Sequence, residues 1–153
     1  MSLEERSNKT NTLQKLFTNR NVLAWLLLVT ALALHVLDEA MSDFLPFYNQ
    51  SVINLREQLG FFPAPTFSFS IWLGGLIIAI ILLYLMTYIV VRGSRFIRVF
   101  TIIFAVLMIF NGLGHLLGSL YYGRILPGMW SSPFLILMAS FVVFQGLKGE
   151  WNS

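Results

Sequence analysis

The segment Asn21-Val-Leu-Ala-Trp25-Leu-Leu-Leu-Val-Thr30-Ala-Leu-Ala-Leu-His35-Val-Leu-Asp38-Glu39-Ala-Met41 decides how the chain is read. Its first fourteen residues are apolar enough for a membrane helix, and then an imidazole and two adjacent carboxylates follow within five positions. A charged side chain near the middle of a membrane helix costs about 2.5–3.5 kcal/mol on insertion scales. Three ionisable groups on one short stretch therefore need a compensating reason, and a functional polar site is the first to test.

The rest of the chain has the same character. Of 153 residues, 57% are hydrophobic and 11% charged, with a mean hydropathy of +0.75, well below the roughly 25% charged residues of soluble domains. Four apolar runs, at about 22–42, 68–91, 98–121 and 131–147, approach the roughly 20 helical residues that cross a hydrocarbon core, the last being the shortest. The runs are continuous, without the in–out alternation of barrel strands, so they read as helices. Arg6, Lys9, Lys15 and Arg20 precede the first run, Arg92, Arg95 and Arg98 separate the second and third, and Lys148 follows the fourth; only Arg56 and Arg124 fall in the other connections. By the positive-inside rule this predicts an all-α, polytopic membrane protein with four transmembrane helices and both termini cytoplasmic, in a plasma or inner membrane. The expected organisation is a cytoplasmic segment 1–21, a transmembrane domain 22–147 and a tail 148–153. A secretory signal ending near Ala31-Leu32-Ala33 is the rival, but its polar lead is long and cleavage there would spoil the charge alternation.

With no cysteine, disulfides, thiolate ligands and a Cys nucleophile are excluded. The net charge of +3 is accounted for by the short basic loops, whose natural partners are anionic lipid headgroups, and nothing points to nucleic acid. The first outer connection, from about Asp43 to Phe67, carries Pro46, Pro63 and Pro65. Within it Ser51–Gly60 reads as a short helix lying on the membrane, with Val52, Leu55 and Leu59 on one face, serving as an anchor or as a lid. The second outer connection ends in the turn signal Pro127-Gly128.

At 100° per residue, Glu39 lies about 40° from His35 and Asp38 about 60° to its other side, so all three share one flank of the first helix. On the third, Asn111, His115, Gly118 and Tyr122 share a face, and Gly112, Gly114 and Gly118 would let it approach another helix closely. At 1.5 Å per residue from the inner ends, His35 and Glu39 stand about 20 and 26 Å up, and Asn111 and His115 about 19 and 25 Å. These levels match, so the two polar faces can line one cavity open to the outside. The donor types suit a divalent metal: His35, Glu39 and His115 as ligands, zinc first, with manganese or iron as alternatives. The expected catalytic set is Glu39 with Asp38 as general base or outer carboxylate, Asn111 as donor or oxyanion stabiliser, and Tyr122 and Arg124 at the mouth, where Arg124 can bind an anionic head. Ordinary roles exist for each. A lone membrane His usually hydrogen-bonds a neighbouring helix, Asp38 and Glu39 can reach headgroups, His115 can pair with Tyr122 or a backbone carbonyl, Asn111 can join helices, and Tyr121, Tyr122, Arg124 and Trp130 can be interface anchors.

His35-Val-Leu-Asp38-Glu39, then Asn111-Gly-Leu-Gly-His115, then Tyr122 through Pro127-Gly128, resembles the small four-helix membrane proteins named for an HXXEE motif. The resemblance spans nearly the whole chain and departs at Asp38, which stands where the motif has its first Glu. That family has no settled activity, so the resemblance supports the choice of residues rather than a reaction. The residues themselves lead to a metal-dependent hydrolase acting on an ester or amide of a lipid-like, amphipathic molecule. Two alternatives remain at this point: a proton- or ion-coupled transporter or accessory protein, and an electron-transfer subunit with a haem between His35 and His115. A homo-oligomer is compatible with all three.

Overall fold

Asn19 starts the first helix: its side-chain oxygen accepts from the backbone N–H groups of Asn21 (3.0 Å) and Val22 (3.4 Å), which have no partner inside the helix. The computed structural model describes residues 19–148, and the expected segment 1–21 and tail 148–153 lie almost wholly outside them. The described residues form α1 (Arg20–Met41), α2 (Phe44–Leu59), α3 (Phe69–Arg92), α4 (Arg95–Tyr122) and α5 (Ser132–Leu147). The chain is thus all-helical. α1, α3 and α4 are each long and apolar enough to cross a membrane, and they place the protein in association with one.

α5 is different. Its 16 residues span about 24 Å, short of a core of about 30 Å. The cause lies in the nine positions before it, 123–131, where the chain folds inward through successive turns instead of extending a helix. Pro133, within the first turn of α5, is tolerated there because its missing N–H would have had no helical partner.

α1 is central. It packs against α3 on one side and α5 on the other, and α5 in turn packs along α4, whereas the backbones of α1 and α4 stay further apart and meet through side chains. Near the Arg20 end of α1, Val22, Trp25 and Val29 form an apolar cluster with Leu83, Val90 and Ile97. Further along, Ala24, Leu28 and Ala31 pack on Ala105, Leu135, Ala139 and Val142. The buried Trp25 indole donates to the Leu83 carbonyl at 3.2 Å, tying α1 to α3. The basic turn between α3 and α4 is as tight as its sequence implies: Gly93 takes φ +53° and the Ser94 hydroxyl accepts from Ile97 N–H.

Two expectations are corrected. The helix in the long connection begins at Phe44 rather than near Ser51, because Pro46 falls in the first turn where proline is permitted. Of the apolar face expected to lie on the membrane, Val52 is buried against the protein (2% exposed), and Leu55 and Leu59, 37% and 65% exposed, are free to meet lipid. The glycines of α4 also divide. A Cβ on Gly112 would stand 2.7 Å from Ile136 Cγ1 and 3.2 Å from the Ser132 carbonyl, so Gly112 is where α4 meets α5; at Gly114 a Cβ would meet nothing within 4 Å, and Gly114 faces open space.

Candidate metal centre

One turn of α1 sets His35 and Glu39 side by side, with His35 Nε2 3.6 Å from Glu39 Oε1. α4 brings His115, whose Nε2 lies 3.1 Å from the same oxygen. One ligand atom from each of the three residues lies within 4.8 Å of the others. His35 is fully buried and Glu39 is 6% exposed.

The hydrogen bonds around the two imidazoles fix which nitrogen carries the proton. His115 Nδ1 is 2.6 Å from the Pro127 carbonyl, which can only accept, so Nδ1 carries hydrogen, and a ring with that single proton presents a bare Nε2 to Glu39. His35 Nδ1 is 2.8 Å from Ser131 Oγ. That hydroxyl gives its one proton to Asp38 Oδ2 at 2.7 Å, its nearer acceptor, and therefore accepts from His35 Nδ1–H. His35 Nε2 is then also a bare lone pair, buried and without a hydrogen-bond partner among the described residues. Two imidazole lone pairs and a carboxylate oxygen, all acceptors, converge on one small volume. Such an arrangement needs a cation or added protons at its centre, since three facing acceptors repel and each has lost its water.

The same pattern is what metal-ligating histidines show, their second nitrogen donating to a carbonyl or to a group held by a carboxylate. Tetrahedral zinc ligands at about 2.0–2.1 Å from the ion stand roughly 3.3 Å apart; the two glutamate edges of 3.1 and 3.6 Å bracket that value, while the three atoms together spread over as much as 4.8 Å. The donor types suit a divalent metal, and the two imidazoles would have to draw together to hold one.

Three groups that hold this arrangement are absent from the set expected from the sequence: Ser131, the Pro127 carbonyl and Gly128. All lie in the inward-folded connection. Its backbone is satisfied locally, Ser119 Oγ accepting from Leu126 N–H at 3.0 Å and the Gly128 carbonyl accepting from Ser132 Oγ at 2.6 Å, as non-helical backbone within an apolar bundle requires. Gly128 adopts φ +81°, and a Cβ there would stand 2.8 Å from His115 Nδ1, 2.9 Å from His115 Cε1 and 3.0 Å from His35 Cε1. The two rings close around a position that only glycine can fill.

The remaining expected residues separate into different places. Asp38 does not join the three donors: Ser131 stands between it and His35, and the Ser131 backbone N–H gives its Oδ2 a second bond at 3.0 Å. It orients rather than ligates. Asn111 is half-buried one turn along α4 from His115 and has no hydrogen-bond partner among the described residues. Tyr122 is exposed and meets the Phe47 ring edge-on at 5.8 Å. Arg124 is exposed with its guanidinium 5.9 Å from that ring. Both stand at the rim, and neither touches the three donors.

Two cavities flank the cluster. One, about 410 Å³, runs along α4 past Asn111, Gly114, His115 and Tyr122 under the α2 side chains Phe44 and Phe47. The other, about 260 Å³, lies beside Glu39 and is lined by Asp43, Asn49, Phe67 and Trp72. Phe44 lines both, its ring 5.6 Å from that of His115.

Comparison with known proteins identifies a family. No curated protein and no solved structure gave a significant match. A family model described as a protein of unknown function with HXXEE motif matches residues 25–143, which takes in α1 from Trp25, all of α2, α3 and α4, and most of α5. His35, Glu39, His115 and the turn that locks them all fall inside that match, and the chain belongs to the HXXEE-motif family.

Proposed function

We propose that the protein is a membrane-embedded, metal-dependent enzyme that hydrolyses an ester or amide bond in a lipid-like molecule. The observation that carries this reading is the convergence of donors: the Nδ1 atoms of both imidazoles are engaged, by Ser131 Oγ and the Pro127 carbonyl, leaving His35 Nε2, His115 Nε2 and Glu39 Oε1 aimed at one another. Zinc suits the donors best, and manganese or iron fits the same two-His, one-carboxylate set. A bound divalent ion would supply Lewis acidity toward a carbonyl and a water acidic enough to act near neutral pH. Glu39, which also lines the smaller cavity, is placed to take a proton from water arriving there. Asn111 offers an amide N–H to an oxygen that gains charge. Asp38 and Ser131 hold His35 in register.

In this reading α1, α3, α4 and α5 cross the bilayer with both termini cytoplasmic, in a plasma or inner membrane. The alternation of Lys and Arg supports it, and so does depth: His35 is fifteen residues from Arg20, about 22 Å, close to the 24 Å length of α5, so α5 and the inward turn together fill one crossing.

A second reading has one observation in its favour. His35, Ser131 and Asp38 are joined by hydrogen bonds, and Glu39 stands 3.6 Å beyond His35 Nε2, a row of ionisable and hydroxyl groups with the composition of a proton relay in a small transporter or accessory protein. A haem fits less well. The two imidazole centroids are 4.8 Å apart in an edge-on contact, and both Nε2 atoms face the same carboxylate, so no slot for a porphyrin lies between them. Elemental analysis of the detergent-purified chain beside His115→Ala separates the readings. About one zinc, manganese or iron per chain, lost in the variant, is the expected result. No metal in either sample, after purification without chelator, would transfer the assignment to the relay.

A further inference from the structure

The cavity along α4 is elongated and largely apolar. It extends from Phe110 to Tyr122, twelve positions or about 18 Å along the helix axis. Its floor is the backbone at Gly114, where a Cβ would meet nothing within 4 Å, and its walls are Phe44, Phe47 and Tyr122. His115 opens onto it midway. Asn111, one turn from His115, presents an amide with no hydrogen-bond partner among the described residues, inside a helix of transmembrane character where such a group needs one. Water is a poor filler for an apolar slot at this level, whereas the bilayer offers hydrocarbon chains. A volume of about 410 Å³ lies at the small end of ligand sites, about 300–1,000 Å³, and suits one chain rather than a pair.

We propose that this groove binds a single-chain amphiphile from the bilayer, the chain lying over Gly114 and an ester or amide group of the same molecule hydrogen-bonded to Asn111 beside His115. A volume of about 410 Å³ leaves no room for the second chain of a phospholipid. The inference rests on the reading of His35, Glu39 and His115 as the reacting centre that such a substrate would serve, but binding in the groove does not need the ion.

The test uses the full chain in lipid nanodiscs and a fatty-acid ethanolamide carrying a diazirine in its acyl chain. Photolabelling is mapped by peptide, and zinc content is measured on each sample. In the wild type the label falls on residues 110–122. Gly114→Leu fills the floor and lowers that labelling at least about tenfold, because a built-in clash removes the site rather than weakening a contact. Gly74→Leu, at a glycine of α3 where an added Cβ would likewise meet nothing within 4 Å, leaves it unchanged. Asn111→Leu lowers labelling by the ethanolamide but not by a plain diazirine-bearing alkane. Wild-type labelling in Gly114→Leu, or displacement of the probe by a diacyl phospholipid as readily as by a single-chain competitor, would overturn the proposal. Labelling lost in Gly114→Leu from a chain that carries no metal keeps the groove and removes the hydrolase reading. One zinc per chain with label spread evenly over all helices does the reverse.

Discussion

Gly128→Ala puts the arrangement of the two imidazoles under direct strain. The added Cβ would stand 2.8 and 2.9 Å from Nδ1 and Cε1 of His115 and 3.0 Å from Cε1 of His35. Ordinary carbon contacts are about 3.5–4.0 Å, so each ring has to retreat by roughly 0.5 Å or more. Ligand distances in a metal site hold within about 0.2 Å, which makes that retreat more than twice the tolerance. His115 cannot simply rotate away, because Nδ1 is held by the Pro127 carbonyl at 2.6 Å. The expected loss of zinc affinity is about 10–100-fold, the range found when groups that orient ligands are disturbed. A backbone penalty of about 1–2 kcal/mol accompanies it, since φ is +81° at this position. Gly123→Ala is the control: φ is +61° there, but a Cβ would meet nothing within 4 Å. It carries the same kind of backbone strain without touching a ring. Competition titration of zinc against a chelator, with thermal unfolding of each detergent-purified variant, gives both quantities. Gly123→Ala is expected to unfold earlier and bind zinc as the wild type does; Gly128→Ala is expected to lose both. Equal zinc affinity in Gly128→Ala and the wild type, or equal loss in the two variants, would refute the reasoning.

Ser131→Ala removes the hydroxyl between Asp38 and His35 and frees the His35 ring, so zinc affinity is expected to fall about 10–100-fold in the same titration, with Ser131→Thr restoring most of it. Gly112→Ala forces a methyl against Ile136 and the Ser132 carbonyl and is expected to destabilise the α4–α5 contact by about 1–3 kcal/mol, whereas Gly114→Ala is neutral, both read by thermal unfolding. Chelator treatment is expected to lower the Tm of the wild type by binding linkage, equivalent to about 2.7 kcal/mol when free zinc stands at 100 times Kd, and to leave the Tm of His115→Ala where it was.

The three donors were legible because helical spacing and depth are both readable from sequence: His35 and Glu39 are four apart on α1, and His115 falls at the same height on α4. What locks them was not. The Pro127 carbonyl and the Gly128 backbone carry no side-chain signature, and Ser131 reads as an ordinary residue before a helix start. The Pro127-Gly128 turn signal and the family resemblance both pointed to that connection, but the signal suggested a surface turn rather than one folded into the bundle. Helical periodicity also cannot say which of several glycines on one helix meets a neighbour, so Gly112 and Gly114, assigned one role, have two. Proline in the first turn of α2 misled for a related reason, since the same residue breaks a helix interior and fits its start.

The separation in sequence between the parts of the centre bears on how the protein is made. His35 and Glu39 leave the ribosome in the first helix, and Ser131 follows His35 by 96 residues, roughly 5–20 s later at ordinary rates of synthesis. During that interval α1 carries Asp38 and His35 without the Ser131 that bridges them, and Glu39 without His115. A nascent chain that ends at Tyr122 already holds all three donors, yet neither ring has the acceptor that fixes its proton. The site is therefore complete only once the turn from Gly123 to Ser131 has folded against α1 and α4, and a stalled or clipped chain lacking that turn leaves Asp38 without the Ser131 hydroxyl and backbone N–H that hold it.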